Sequence, residues 1–574
     1  MPKKEWKLSP EAPADFIARF PELDKLTLQL LFNRNIIEKD DIEYFVNPNY
    51  SETTFDPFLF SDMNASVQLI IENIKKQNKI TIYGDYDVDG VTSSSLLLST
   101  IRSLRGVVDV YIPDRKSEGY GINKEAINEI IKNKTKLLIS VDCGIRNKDE
   151  VAYAKKNGLD VIITDHHTAS EDTADLPECL IINPKTPGEK YPFKQLAGVG
   201  VAFKLSEALI SRAKIDSEMK NRLVERGMDL LAIGTVADCV ELVGENRALL
   251  IKGLDVLDSS NRPGIKELMN IAKINEDKKI ESWNIGFQIA PRLNAAGRMG
   301  HANSAYELLT TEDKEEAKKL ANELNRKNIE RQEVTEEIMN YIEANLNHND
   351  SILLALCPED QMWEEGVVGL VSGRLTEKYY KPSLVITRTE TGFKGSGRSI
   401  DELNILDLLK KCSELIEKYG GHAKACGFSI EKDKMEDFSK CIKEKAKKEL
   451  KALKLRPKIR VEAEIDLSEI DVDLIDRVLK FAPFGEANPA PLFVSRRISV
   501  VDIMHMGADG QHLKLKLKNE ESGILNALGF WQSEKWKDIE IGDIIDIVYT
   551  LENNNFNGRI DPQMRIVDIR KEEE

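Results

Sequence analysis

The chain has 574 residues, 41% hydrophobic and 31% charged, with a formal net charge of −16. That composition excludes a disordered or fibrous protein and provides material for roughly three to four domains at about 100–200 residues each. The acidic balance argues against a protein that coats nucleic acid nonspecifically, although a local basic cleft stays open.

No apolar run reaches the roughly 18 residues that a membrane span needs. The opening Met1-Pro-Lys-Lys-Glu-Trp-Lys7 lacks the apolar core of a secretory signal, so a cytoplasmic protein with no membrane contact is expected. The seven cysteines are scattered with no Cys-x-x-Cys pair, which predicts reduced thiols and no disulfide.

Residues 1–65 read as a small helical cap without chemistry of its own. From residue 66, strands at Ile80–Tyr83, Val107–Ile112, Lys136–Val141 and Val161–Thr164 alternate with amphipathic segments. This pattern predicts a parallel sheet covered by helices, with ligands at the carboxyl ends of its strands. The first strand runs into Gly84-Asp85-Tyr86-Asp87-Val88-Asp89-Gly90. Three carboxylates so close repel one another unless a hard cation sits among them; the bland alternative is an exposed acidic turn. Asp142 ends the third strand and Asp165-His166-His167 follows the fourth, and histidines there alone could be ordinary surface residues. Ile182-Asn-Pro-Lys185 and the glycine pair Gly198-Val-Gly200 are weak signals, the second also explained by helix-to-sheet packing. Asp238 closes an apolar helical segment, where a lone carboxylate needs a cation or a donor. Gln288–Gly300 combines small residues with Arg292 and Arg298, a composition suited to close approach by phosphate.

The stretch 311–346 predicts a long helix, apolar at both ends and polar in its middle, the pattern of a bridge between two domains. A second α/β domain follows, with strands at Ile352–Cys357 and Ser383–Thr387 and a helix at Val367–Lys378 between them. Gly395-Ser-Gly-Arg-Ser399 puts Ser396 and Arg398 on permissive backbone, and Tyr419-Gly-Gly-His-Ala-Lys-Ala-Cys-Gly-Phe428 puts His422 at an expected helix start. Each could be a tight turn; together they suit a phosphate cradle. Between Cys441 and Arg460, nine Lys or Arg stand against two Glu, either a backbone-binding patch or a solvated helix face. Strands then succeed one another without helical crossovers: Lys458–Ile465, Leu492–Met504, His512–Leu517, Gly523–Trp531, Ile544–Leu551 and Met564–Ile569, with a turn at Asn553–Gly558. A small barrel of the oligonucleotide-binding type is expected.

The ordered series Asp87-x-Asp89, Asp142, Asp165-His-His167 and Asp238 resembles the motifs of the DHH phosphoesterase superfamily, and Gly420-Gly-His-Ala-Lys-Ala-Cys-Gly427 resembles the glycine-histidine motif of its associated DHHA1 domain. The barrel and the Tyr-Gly-Asp-Tyr-Asp-Val-Asp-Gly form of the first motif narrow the resemblance to the RecJ family of exonucleases. It implies two α/β domains joined by a long helix plus a C-terminal OB-type barrel, divided as 1–65, 66–305, 306–346, 347–452 and 453–574. It also implies removal of nucleotides from single-stranded DNA in the 5′ to 3′ direction with two Mn²⁺ or Mg²⁺ ions, in DNA repair and recombination. Asp85, Asp87, Asp89, Asp142, His166 and Asp238 would then surround the ions, with Asp142 bridging and Asp85 a ligand or a supporting acid. His167 would contact the scissile phosphate, and Ser396 and Arg398 would read the 5′-phosphate. Arg115, Arg298, Gln332 and His422 are candidates for further phosphate contacts. Contacts with a single-strand-binding protein or a helicase are family expectations, weakened by an ending soon after the barrel that leaves out a further domain of longer relatives. A monomer is the default. The competing readings are a DHH hydrolase of short oligonucleotides or cyclic dinucleotides and a catalytically silent replication scaffold.

Overall fold

The computed structural model describes residues 4–571 except 116, 275–278 and 557. Two compact units divide it, one built from Thr54–Val240 with Leu249–Pro457, the other from Lys4–Thr53, Glu241–Ala248 and Lys458–Glu574. The first described strand, β1 (Glu5–Leu8), belongs to the second unit.

The first unit begins its sheet with β2 (Lys79–Gly84), followed by helix α1 (Val88–Ser103), β3 (Val107–Tyr111), β4 (Thr135–Val141), β5 (Asp160–Thr164) and β6 (Leu180–Ile182). All pair in parallel in the order β3-β2-β4-β5-β6. Ile80, Ile82, Leu137, Leu138, Ile139, Ile162 and Ile163 are fully buried, as the near-continuous apolar runs of a sheet covered on both faces require. The short β6 extends the expected sheet by one strand; its three residues carry too little pattern to stand out in the sequence.

Helix α1 is buried along most of its length despite its hydroxyl residues. Thr92, Ser94 and Ser95 donate to the carbonyls of Val88, Gly90 and Val91, so their polar groups are satisfied inside the helix. Against α1 pack α2 (Gly198–Arg212) and α3 (Ser217–Ala237). Further on come α4 (Ala290–Met299) and α5 (Lys314–Asn345), the latter 32 residues long and therefore about 48 Å from end to end. Leu320 and Leu324 are buried near its start, while Ile338, Met339 and Ile342 enter a separate core with Leu353, Val367, Val371 and Val385. This is the expected bridging helix.

That second core belongs to a mixed sheet of β7 (Leu353–Leu356), β8 (Ser383–Arg388), β9 (Gly392–Arg398), β10 (Lys418–His422) and β11 (Ala425–Glu431), in the order β10-β11-β9-β8-β7. Helix α6 (Glu365–Tyr379) packs on β8 and β9, and α7 (Met435–Leu450) closes the domain. Two sequence expectations are corrected here. His422 does not start a helix: it ends β10 in a hairpin whose glycines leave room for flat pairing with β11. Cys412 and Cys441 form a disulfide, because the turn after the short helix Ile405–Lys410 and helix α7 lie side by side in one core; residues 29 apart carry no local spacing signal for it. Among the described residues the other five cysteines take part in no disulfide. Part of the basic segment is a solvated helix face, with Lys443 paired to Asp350 and Lys445, Lys447 and Lys448 exposed.

In the second unit β12 (Lys458–Val461) pairs with β1, and β13 (Ala463–Glu464), β14 (Phe493–Met506), β15 (His512–Lys518), β16 (Leu525–Gly529), β17 (Ile544–Phe556) and β18 (Arg559–Lys571) form a barrel closed by β14 against β17. The last hairpin is longer than expected: Asn553–Phe556 continue β17 in register with β18, and Asn557 of the expected turn lies outside the described residues. Phe16, Phe20, Leu28 and Leu31 of the amino-terminal segment share a core with Leu513, Leu515, Ile547 and Met564 of the barrel. Among the described residues no helix is long and apolar enough to cross a membrane.

The turn from β2 into α1 has no slack. A Cβ placed on Gly90 would stand 2.4 Å from the Asp85 carbonyl oxygen and 2.6 Å from its nitrogen, and backbone cannot step aside as a side-chain tip can. Gly90→Ala is expected to lower stability by about 1–3 kcal/mol, read as a fall in the denaturation midpoint.

Candidate active site

The parallel sheet delivers its acids from three neighbouring strands and two helices to one place. Asp85 and Asp87 leave the end of β2, Asp87 capping α1 by accepting from Gly90 N at 3.1 Å. Asp89 lies in the first turn of α1. Asp142 follows β4 with φ +60°, a left-handed backbone that a non-glycine residue rarely adopts, and its N–H donates to the Thr164 carbonyl at 3.0 Å. Asp165, His166 and His167 follow β5, and Asp238 caps the carboxyl end of α3.

His166 is at the centre. Its Nε2 is 3.2 Å from Asp142 Oδ1, 3.5 Å from Asp238 Oδ2 and 3.9 Å from Asp89 Oδ2. Three overlapping groups have ligand atoms within 4.8 Å of one another: Asp85, Asp87 and Asp142; Asp89, His166 and Asp238; Asp142, His166 and His167. Among the described residues, Asp85 Oδ1, Asp142 Oδ1 and both ring nitrogens of His166 are buried without a hydrogen-bond partner. Buried polar atoms left unsatisfied in this way fit a set of ligands for divalent cations, and the oxygen-rich donor set suits hard ions.

The electrostatics agree. Burial first, and neighbouring carboxylates second, hold Asp85, Asp89 and Asp142 well above the ordinary carboxylate range. Burial and Asp87 push Asp238 up to about 7. Burial, assisted by the His167 charge, lowers His166 to about 3, leaving a neutral imidazole able to ligate.

Asp89 receives the amino end of α2, with Gly198 N donating to Oδ2 at 2.7 Å and Val199 N to Oδ1 at 2.8 Å. That contact explains the glycine pair read in the sequence: a Cβ on Gly198 would fall 2.8 Å from carboxylate oxygens of both Asp142 and Asp89. Asp165 is an orienting group. Its Oδ1 accepts from His166 N, His167 N and His167 Nδ1, the last at 2.8 Å, while Oδ2 accepts from Ile145 N. Burial opposes ionisation of Asp165, but these hydrogen bonds outweigh it and lower its pKa. Burial likewise works against a charged His167, yet the bond and charge of Asp165 carry its pKa upward. Asn183 donates to the His167 carbonyl at 3.0 Å, so the Ile182–Lys185 stretch supports the histidine loop, and the Lys185 charge acts on His166 and Asp238.

Arginines gather beside the acids. Arg298, at the end of α4, donates to the Gly366 carbonyl at the start of α6 at 2.9 Å, and a Cβ on Gly366 would meet the Arg298 carbonyl at 2.6 Å. Burial, then the charges of Arg115 and Arg331, lower Arg298 to about 10. Arg398 is also within range of Arg298, and its Nη1 donates to Ser396 Oγ at 3.3 Å on β9. Arg115 lies over the Tyr86 ring with 5.0 Å to its centroid. Gln332 is exposed on α5. His422 is exposed on β10, and the register His422–Ala425–Arg398 sets it two strands from Arg398, about 10 Å away.

Two residues went unnoticed in the sequence. Arg331 has a buried Nε without a hydrogen-bond partner among the described residues, and burial lowers its pKa. Tyr120 donates to the Asp142 carbonyl at 3.3 Å and its hydroxyl is 3.2 Å from His167 Nδ1. Neither lies in a motif; only the folded chain brings them in.

Comparisons with known proteins follow the same lines. Residues 79–235 match the DHH family N-terminal domain, 349–448 the DHHA1 domain and 461–568 the RecJ OB domain. The chain is similar to the single-stranded-DNA-specific exonuclease RecJ of Bacillus subtilis, 37% identical over 554 residues, which cover 95% of this chain and 67% of that protein. The protein of the same name from Escherichia coli is 31% identical over 89% of this chain and 90% of its own length. The crystal structure of RecJ in complex with Mn²⁺ from Thermus thermophilus is similar with a TM-score of 0.82 and 27% identity, covering 99% of this chain and 80% of that one.

Without divalent cations, the raised acids set a pH dependence. Asp238, near 7 when folded and about 4 when unfolded, binds more protons in the folded state, so its contribution to stability is present in acid and lost as pH rises toward 7. In chelator the melting temperature is expected to fall between about pH 4 and pH 7, with Asp238→Asn flattening part of the fall. Added Mn²⁺ should raise the melting temperature more at neutral pH than in acid, which a thermal shift series across pH would check.

Proposed function

Given that this chain belongs to the RecJ family of DHH exonucleases, we propose that it is a metal-dependent exonuclease that removes mononucleotides from single-stranded DNA, working from the 5′ end. The observation that carries the reading is the cluster of Asp85, Asp87, Asp89, Asp142, His166 and Asp238, with its buried and unsatisfied ligand atoms. Asp85, Asp87 and Asp142, together with Asp89, His166 and Asp238, would hold the ions, two of them on the proposed reading. Divalent ions held there supply neutralisation of the phosphate charge and activation of the attacking water.

The protein's own groups do the rest. Asp165 accepts the His167 Nδ1 proton, fixing the ring and favouring its charged form, so that Nε2 is the nitrogen left to face a phosphate oxygen. Asp89 is fixed by two backbone N–H groups at the amino end of α2, which holds the cluster in shape before substrate arrives. Ser396 and Arg398 are the proposed readers of the terminal 5′-phosphate, with Arg115, Arg298, Arg331, Gln332 and His422 as further contacts along the strand. Lowered arginine pKa values support this: burial is the first cause at Arg298, Arg331 and Arg398, and a guanidinium drawn out of water gains from an arriving anion. The barrel supplies a second binding surface: Phe530 and Trp531 are exposed beside His512, and Arg565 stands over the Phe530 ring.

Digestion of end-labelled single strands tests the proposal. The wild-type chain is expected to release mononucleotides from the 5′ end in Mn²⁺ and to stop in chelator. Asp142→Ala should lower kcat by at least about a hundredfold, corresponding to the loss of several kcal/mol of charge stabilisation. Release from the 3′ end, or unchanged digestion in the variant, would overturn it.

Arg398→Ala is expected to remove about 10- to 100-fold of the advantage of a 5′-phosphorylated strand over a 5′-hydroxyl strand, the size of one charged hydrogen-bonded pair. Competition between the two strand types in one reaction would measure it.

A further inference from the structure

Ser282–Asn284, Ile285–Ile289 and α4 form one continuous helix whose middle stretch is wound as a π-helix. Such winding is rare and concentrates at functional sites. On this stretch Trp283 and Phe287 stack on each other, ring centroids 5.5 Å apart and planes within 23°. Trp283 is 47% exposed and Phe287 69% exposed. Two large rings held face to face in water are a prepared contact surface, since burial of either would have stabilised the fold.

Their position ties them to the proposed substrate path. The π-helical stretch rests on the last turn of α3: a Cβ on Gly286 would lie 3.8 Å from Val236 Cγ1, two residues before Asp238. Along the same helix, Arg292 is anchored by Nη1 to the Gln288 carbonyl at 2.6 Å and by Nε to Asn325 Oδ1 at 3.0 Å. Arg298 follows about 17 Å beyond Phe287 at 1.5 Å per residue. One rod therefore carries a stacked aromatic pair, passes the acid cluster and ends on the arginines.

We propose that Trp283 and Phe287 form a base-stacking platform that holds the single-stranded DNA substrate beyond the scissile bond; this rests on the nuclease reading above. Every base has a π-face, so the platform grips any sequence. Bases in a duplex are already paired and stacked, so the platform favours unpaired strands and acts in specificity, not in bond cleavage.

The test uses the full chain in Mn²⁺. Trp283→Ala with Phe287→Ala is expected to raise KM for long single strands about 10- to 100-fold, with kcat unchanged. Dinucleotides, which leave a single nucleotide beyond the scissile bond, should lose much less than long strands. Trp283→Phe, which keeps a ring, should restore most of the affinity. Wild-type protein gives an independent reading: an abasic nucleotide moved along the strand should raise KM at one position, and that penalty should vanish in the double variant. Unchanged KM for long strands, or an equal loss for dinucleotides and long strands, overturns the platform while leaving the nuclease in place. A wild-type chain that cuts no single strand overturns both.

Discussion

Five carboxylates, Asp85, Asp87, Asp89, Asp142 and Asp238, converge around one imidazole, and their mutual repulsion is the constraint that the surrounding fold has to balance. Asp85, Asp89 and Asp142 are buried, so like charges there are screened less than on the surface. The parallel sheet brings the acids together because every one of its strands ends on the same side. The amino end of α2 offsets part of the charge at Asp89, and Lys185 acts on Asp238 from the neighbouring loop. Cations complete the balance, which makes the folded chain a binding partner for them as well as a scaffold.

The arginine side of the site depends on a different device. Arg298 belongs to one α/β half and Arg398 to the other, and their common neighbourhood is set by helix packing. Glycines make that packing close: Gly366 admits the Arg298 backbone, and Gly369 brings α6 to within 3.1 Å of Ser396 Oγ for an added Cβ. Helix α5 roots one end in each half, so the separation of acids and arginines is a property of helices and not of a loop.

The sequence was legible where chemistry is local or periodic. Strand ends carrying Asp85 to Asp89, Asp142 and Asp165 to His167 could be placed because buried parallel strands are continuous apolar runs and the acids directly follow them. The long helix showed in its apolar ends and polar middle. What stayed hidden depends on contacts between distant residues. Asp165 stood out with its histidines, but its task as the acceptor for His167 needs the loop's folded shape. Gly198 looked like packing until the oxygens of Asp89 and Asp142 were beside it. His422 followed a glycine pair that suits a helix start as well as a hairpin, and only pairing with β11 decides between them. The Cys412–Cys441 bridge and the placement of Arg331 had no local signal at all.

The second unit is assembled mainly from two segments far apart in the sequence, Lys4–Thr53 and the stretch from Lys458 onward, with Glu241–Ala248 between them in the sequence. Phe16, Phe20, Leu28 and Leu31 share their core with Ile547 and Met564, and β1 pairs with β12. During synthesis the amino-terminal segment therefore emerges first and waits for its partners. At about 5–20 residues per second, the intervening stretch of over 400 residues takes about 20–100 seconds to appear. As that stretch emerges the first unit can build its core, whereas Phe16, Phe20, Leu28 and Leu31 meet their barrel partners only after it. Order of synthesis and order of completion thus differ: residues made before the first unit can complete their core only after it.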